Sequence, residues 1–80
     1  MNIKPWINID SSSVSRLRVV GNDLDIEFRT TGAIYRWVDA ASEFDELLDM
    51  NAKGKSVGTY VNVVMKNKYE KPILLGNDKD

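Results

Sequence analysis

The chain has 80 residues, 42% of them hydrophobic and 29% charged, with a formal charge of −1 and neither cysteine nor histidine. That length supports one domain, held by apolar burial without disulfides. The composition excludes the usual zinc site and the commonest neutral-pH base, and the near-neutral total excludes a global pull on nucleic acid or anionic lipid. No EF-hand spacing appears, and no apolar stretch approaches the roughly 20 residues that cross a bilayer. The start, MNIKPWINID, lacks the apolar core of a secretory signal. The expectation is a soluble, cytoplasmic, non-enzymatic protein with no membrane partner, no cofactor, no metal and no catalytic set.

Residues 1–10 read as an N-terminal arm, at best an edge strand, because Pro5 has no amide to donate. If the arm is extended, Ile3, Ile7 and Ile9 share one side. Trp6 then points the other way, to plug a gap or to meet a ligand. The domain proper is read as residues 11–75. In SSSVSRLRVV, Leu17 and Val19 alternate with Arg16 and Arg18, the period of a half-buried strand. Gly21-Asn22-Asp23 breaks it. LDIEFRT then places Leu24, Ile26 and Phe28 on one face and Asp25, Glu27 and Arg29 on the other, so the two runs read as a hairpin. After a turn at Thr30-Thr31-Gly32, AIYRWVD continues as a third strand, with Ile34, Arg36 and Val38 opposite Tyr35 and Trp37.

The period changes at Asp39. Either Asp39 or Ser42 is placed to cap a helix, with Asp45 completing a variant capping box, and Phe44, Leu47 and Leu48 form its apolar stripe. Gly54 is the natural stop. Ser56 caps a second helix, in which Val57, Tyr60, Val61, Val64 and Met65 fall at helical spacing. Gly58 allows that helix a close approach to a strand or to the first helix. Ile73-Leu74-Leu75, after Pro72, adds a short strand or a hydrophobic clasp, and residues 76–80 read as a flexible tail. The expected fold is therefore α+β: a three-stranded antiparallel meander followed by two helices packed on one face, with a short C-terminal strand as an addition.

From Ser11 to Tyr69 the chain resembles the KTSC domain, a small family found at the C-terminus of some lysyl-tRNA synthetases and free-standing in bacteria and phages. SSSV stands before the first strand, LDIEF resembles the family's L-x-V-x-F, YRW at residues 35–37 stands near its Y-x-Y, and SVGTYVN at residues 56–62 resembles its S-x-G-x-(Y/F)-(F/V)-N, followed by KNKY. Ser56, Gly58 and Asn62 are the motif positions. Trp37 departs from the family by losing a hydroxyl, and Asp39 departs where proline is usual. The synthetase context implies RNA, tRNA or a single strand, as a partner.

Charge is segregated. Residues 39–49 carry five acids and no base, whereas residues 53–71 carry five lysines and one acid. Three function classes follow. An RNA-binding surface would draw cations from Arg36, Lys53, Lys55, Lys66 and Lys68 and stacking rings from Tyr35, Trp37, Tyr60 and Tyr69. The bland alternative places these rings in the core and leaves the lysines solvated. A protein-binding module would use the acidic helix face (Glu43, Asp45, Glu46, Asp49) or the aromatic strand face. An enzyme would rest on the carboxylate pair Asp25 and Glu27, which simple strand alternation explains equally well.

Overall fold

The computed structural model describes residues 3–77. Strands β1 (Ile3–Asn8), β2 (Val14–Val20), β3 (Asp23–Phe28) and β4 (Ala33–Trp37) come first, then helix α1 (Glu43–Ala52), a second helix, and β5 (Ile73–Asn77). The second helix, α2, comprises an α-helical turn at Val57–Thr59, a π-helical turn at Tyr60–Met65 and a closing α-helical turn at Lys66–Lys68. The strands form one antiparallel sheet in the order β1-β2-β3-β4-β5. No helix among the described residues is long and apolar enough to cross a membrane.

The α+β class agrees with expectation, but the sheet has five strands rather than a three-stranded meander with one added piece. The two extra strands are the edges, and neither alternates cleanly. In β1, Pro5 coincides with a register shift between Lys4 and Ile7. As a result Ile3 pairs beside Val20 and Ile7 beside Leu17, on opposite faces. Only Ile9 of the three isoleucines is buried; Ile3 and Ile7 are exposed. β5 continues the apolar run Ile73-Leu74-Leu75 through Gly76 and Asn77, two residues read as tail. The rest of that tail, residues 78–80, lies outside the described residues.

The alternation in β2 and β3 sorts their side chains as expected. Leu17, Val19, Leu24 and Ile26 are buried on the inner face with Trp37, and Phe44, Leu47, Val57, Val61 and Met65 from the helices close over them in one cluster. Each fully buried aliphatic side chain contributes roughly 1.5–3 kcal/mol. The β2–β3 turn is a two-residue hairpin closed by the Val20–Asp23 pair, with positive φ at Gly21 alone, as a type II′ turn requires.

Neither Asp39 nor Ser42 caps α1 with its side chain. Asp39 takes φ +59°, a left-handed conformation closed to proline, and its amide donates to Asp23 Oδ1 at 3.0 Å. The chain re-enters so tightly that the Ala40 and Ala41 carbonyls accept from the amides of Glu43 and Phe44. Those bonds make a side-chain cap unnecessary. The other end behaves as read: Gly54 has φ +73°, its amide bonds the Asn51 carbonyl, and the Lys55 amide bonds that of Met50, the two bonds of a Schellman motif. Ser56 caps α2, accepting from the Thr59 amide at 3.2 Å.

Within α2 the expected stripe is altered. Val57, Val61 and Met65 are buried, but Val64 is 40% exposed. The Lys66 amide reaches back five residues to the Val61 carbonyl, and the widened turn carries Val64 out of the core stripe. Gly58 makes a close approach, but to Ser13 in the bend before β2 rather than to a strand or α1: a Cβ at residue 58 would lie 2.6 Å from both Ser13 Cβ and Oγ. Alanine would add about 1 kcal/mol of helix preference but overpack the contact by about 1–3 kcal/mol. Gly58→Ala is therefore expected to lower the thermal midpoint, by about 4–8 °C for each net kcal/mol. Adding Ser13→Gly should restore it. Thermal denaturation followed by circular dichroism reads both, and an unchanged midpoint in the single variant would show that Ser13 simply moves aside.

Candidate functional site

The outer face of the sheet carries a ladder of charges in strand register. Asp25 stands opposite Arg18 on β2 and Arg36 on β4, and Glu27 stands opposite Arg16. Both carboxylates are buried on a face that no helix covers, Asp25 completely. The arginines do the covering. Arg36 grips Asp25 with Nε and Nη2 at 2.8 and 2.9 Å, Arg18 Nε donates at 2.7 Å, and Arg16 holds Glu27 with two bonds of 3.1 Å. Burial pushes the Asp25 carboxyl pKa up, but the hydrogen bonds and charges of Arg36 and Arg18 outweigh it and hold it below the usual range. Trp6 lies across the ladder, its ring centroid 4.3 Å from the Arg16 guanidinium carbon and 4.4 Å from that of Arg18. Trp6 thus neither plugs the core nor stands free.

A third buried carboxylate joins the two helices. Glu43, at the start of α1, is 3% exposed. Spacing explains this: Glu43 lies four residues before Leu47 and so falls on the buried stripe rather than the acidic face. Its Oε1 accepts from the Tyr60 hydroxyl at 2.7 Å, and its Oε2 accepts from Lys68 Nζ at 2.9 Å and the Tyr69 hydroxyl at 2.7 Å. Burial raises the Glu43 pKa, but the bonds from Tyr69, Lys68 and Tyr60 and the Lys68 charge more than offset it, leaving it lowered. The Tyr60 hydroxyl, donating to a carboxylate and partly buried, is pushed up to about 12.

The third feature is a cleft of about 540 Å³ between α2 and the β4–β5 end of the sheet, lined by Phe28, Tyr35, Trp37, Asn62, Lys66, Lys71 and Pro72. That volume is in the range of small-ligand sites. Its aromatic wall is continuous: Phe28, Tyr35 and Trp37 have centroids 5.9–6.2 Å apart in edge and tilted contacts. Trp37 is buried, and its Nε1–H has no acceptor among the described residues. Tyr35 and Phe28 are half-buried. Elsewhere the cations are committed: Lys4 to Asp45, Lys53 to Asp49, Lys68 to Glu43, the ladder arginines to their carboxylates, and Arg29 to carbonyls of Ile9, Ser11 and Val14. Among the described cationic side chains, only those of Lys55, Lys66 and Lys71 lack an ion pair or hydrogen bond, and two of these three rim the cleft.

The residues singled out from sequence therefore divide. Tyr35, Trp37, Asn62 and Lys66 meet at the cleft, Arg36 lies on the opposite face of the sheet, and Tyr60, Lys68 and Tyr69 close on Glu43. Lys53 pairs with Asp49 on α1, and Lys55 borders a separate shallow depression with Ser56. Sequence reasoning did not name Phe28 and Lys71 as site residues. By alternation Phe28 falls on the core face, as its last residue at the end of β3, where it lines the cleft. Lys71 was counted only as part of the basic segment. Compared with known proteins, the chain matches no family model, no curated protein and no solved structure.

The two kinds of shifted group set a pH window. Glu43 and Asp25 have folded pKa values below their ordinary ones, so they add stability above about pH 4.5 that is lost as pH falls through the lowered values. Tyr60 has a raised value, so its contribution is complete below pH 10 and lost as pH rises toward 12. Urea midpoints are expected to be flat from about pH 5 to 9 and to fall on both sides. Glu43→Ala should cost on the order of 2–3 kcal/mol at neutral pH and weaken the alkaline fall, because Tyr60 then loses its acceptor. An alkaline limb unchanged by this substitution would refute the assignment.

Proposed function

We propose that this chain is a non-enzymatic module that binds single-stranded RNA at the aromatic cleft. The observation that carries the reading is that the two uncommitted lysines Lys66 and Lys71 stand at the rim of a cleft walled by Phe28, Tyr35 and Trp37. A single strand needs flat faces for its bases and cations for its phosphates. Tyr35 and Phe28 offer partly open rings, Asn62 offers both a donor and an acceptor, and the lysines supply charge. The KTSC resemblance and its RNA context belong to this same proposal. Tyr60, Lys68, Tyr69 and Arg36 take no part in it, since each is held by a carboxylate. The acidic α1 face is a poorer candidate for a partner site: Glu43 is buried, Asp45 pairs with Lys4 and Asp49 with Lys53.

Two phosphate contacts on a single strand give a slope of log K against log salt of about −1.4, and one or two stacked bases contribute roughly 1–3 kcal/mol each. Binding should therefore be weak and salt-sensitive. Fluorescence anisotropy with labelled single-stranded oligonucleotides and tRNA, at low and physiological salt, reads this directly. Lys66→Glu/Lys71→Glu is expected to abolish saturable binding, and Tyr35→Ala to weaken it about tenfold or more with the slope unchanged. Lys53→Glu/Lys55→Glu should leave affinity within about twofold at physiological salt, where charges beyond the Debye length are screened. Absence of binding at low salt, or equal losses in both lysine pairs, would overturn the reading.

A further inference from the structure

The two edges of the sheet are unequal. Both carry a register shift, between Lys4 and Ile7 in β1 and at Leu75 in β5, but β1 is blunted further by Lys4 and Pro5. β5 reads Ile-Leu-Leu-Gly-Asn, with no charge and no proline, and among the described residues it pairs on one side only, with β4. Its three large side chains are exposed: Ile73 52%, Leu74 59% and Leu75 41%. An uncharged edge strand with exposed apolar side chains is a template for another strand.

We infer that β5 is the contact through which two copies of this chain associate, edge to edge and antiparallel, into a continuous ten-stranded sheet. The strand is complementary to itself. With a twofold axis at Leu74, Ile73 faces Leu75, Leu74 faces its own copy, and Lys71 faces Asn77, so apolar groups meet apolar groups and these positions oppose no like charges. The contact is isologous and closes at two copies, because β1 offers no equivalent edge to continue it. The twofold lies perpendicular to the sheet, so both helical layers fall on one side. Lys71 and Pro72 of each cleft lead directly into β5, which places the two clefts on the same face, flanking the new seam. A five-residue edge with three apolar side chains makes a small interface of the transient class, below about 1,000 Å².

The association does not depend on RNA and is tested without it. Sedimentation equilibrium between about 10 µM and 1 mM should show a monomer–dimer equilibrium within that range. Leu74→Lys places two like charges on the axis and should weaken association at least about tenfold. Ile3→Lys on the opposite edge should leave it unchanged. Because Leu74 is exposed, the variant is expected to keep the wild-type circular dichroism. Amide resonances of the wild-type chain give a second reading: residues 73–77 should shift and gain exchange protection with concentration, while residues 3–8 should not. A monomer throughout, species larger than a dimer, an unchanged constant in Leu74→Lys, or concentration-dependent shifts centred on β1 would each overturn the inference.

Discussion

A carboxylate removed from water must be given hydrogen bonds, and Glu43 takes three from α2 and the residue after it. This requirement organises one whole side of the molecule. It fixes α1 against α2, because Tyr60 and Lys68 lie in α2 and can reach Oε1 and Oε2 only in that packing. It also anchors Tyr69, from which the chain turns through Lys71 and Pro72 into β5. An apolar residue at position 43 would fill the same space, but it would not hold the two hydroxyls and the ammonium in one orientation. Its worth is therefore as much geometric as energetic, since a buried carboxylate recovers little net stability after its desolvation.

The same logic runs on the outer face. Asp25 is completely buried without a helix above it, because Arg18, Arg36 and Trp6 form the cover. Arginine suits this task better than lysine, since its flat fork matches a carboxylate and lies against an indole. One consequence is functional. Every arginine among the described residues has a partner, and so do three of the six described lysines. Among the described residues little positive charge is thus left free, and where that charge remains matters more than its total.

Much of this was legible in residue order. Alternation in β2 and β3 marks which side chains face inward, and Gly54 and Ser56 mark a helix end and a helix start through their own chemistry. The edges were less legible, because Pro5 breaks the period of β1 and the unbroken apolar run of β5 has no period to read. The common partner of Tyr60, Lys68 and Tyr69 is hidden in the sequence for another reason. Their suitability for RNA, ring and cation side by side, is also what a buried carboxylate needs, and only the position of Glu43 distinguishes the two. By composition Glu43 reads as one acid of an exposed run, whereas its spacing to Leu47 puts it on the buried stripe.

The π-helical turn connects these pieces. In a regular α-helix, residues eight apart drift by about 80° around the axis, so Val57 and Met65 would not share a narrow core stripe. Widening the turn over Tyr60–Met65 reduces that drift and brings positions four apart into rows. Three rows result. Val57, Val61 and Met65 enter the core; Tyr60 and Lys68 reach Glu43; Asn62 and Lys66 border the cleft. Val64 falls by spacing between Tyr60 and Lys68, which accounts for its exposure in a segment that reads as core. A single local change in helix geometry therefore separates packing, anchoring and cleft-lining residues that would otherwise wind across one another, and it leaves Lys66 beside the aromatic wall with no acid to hold it.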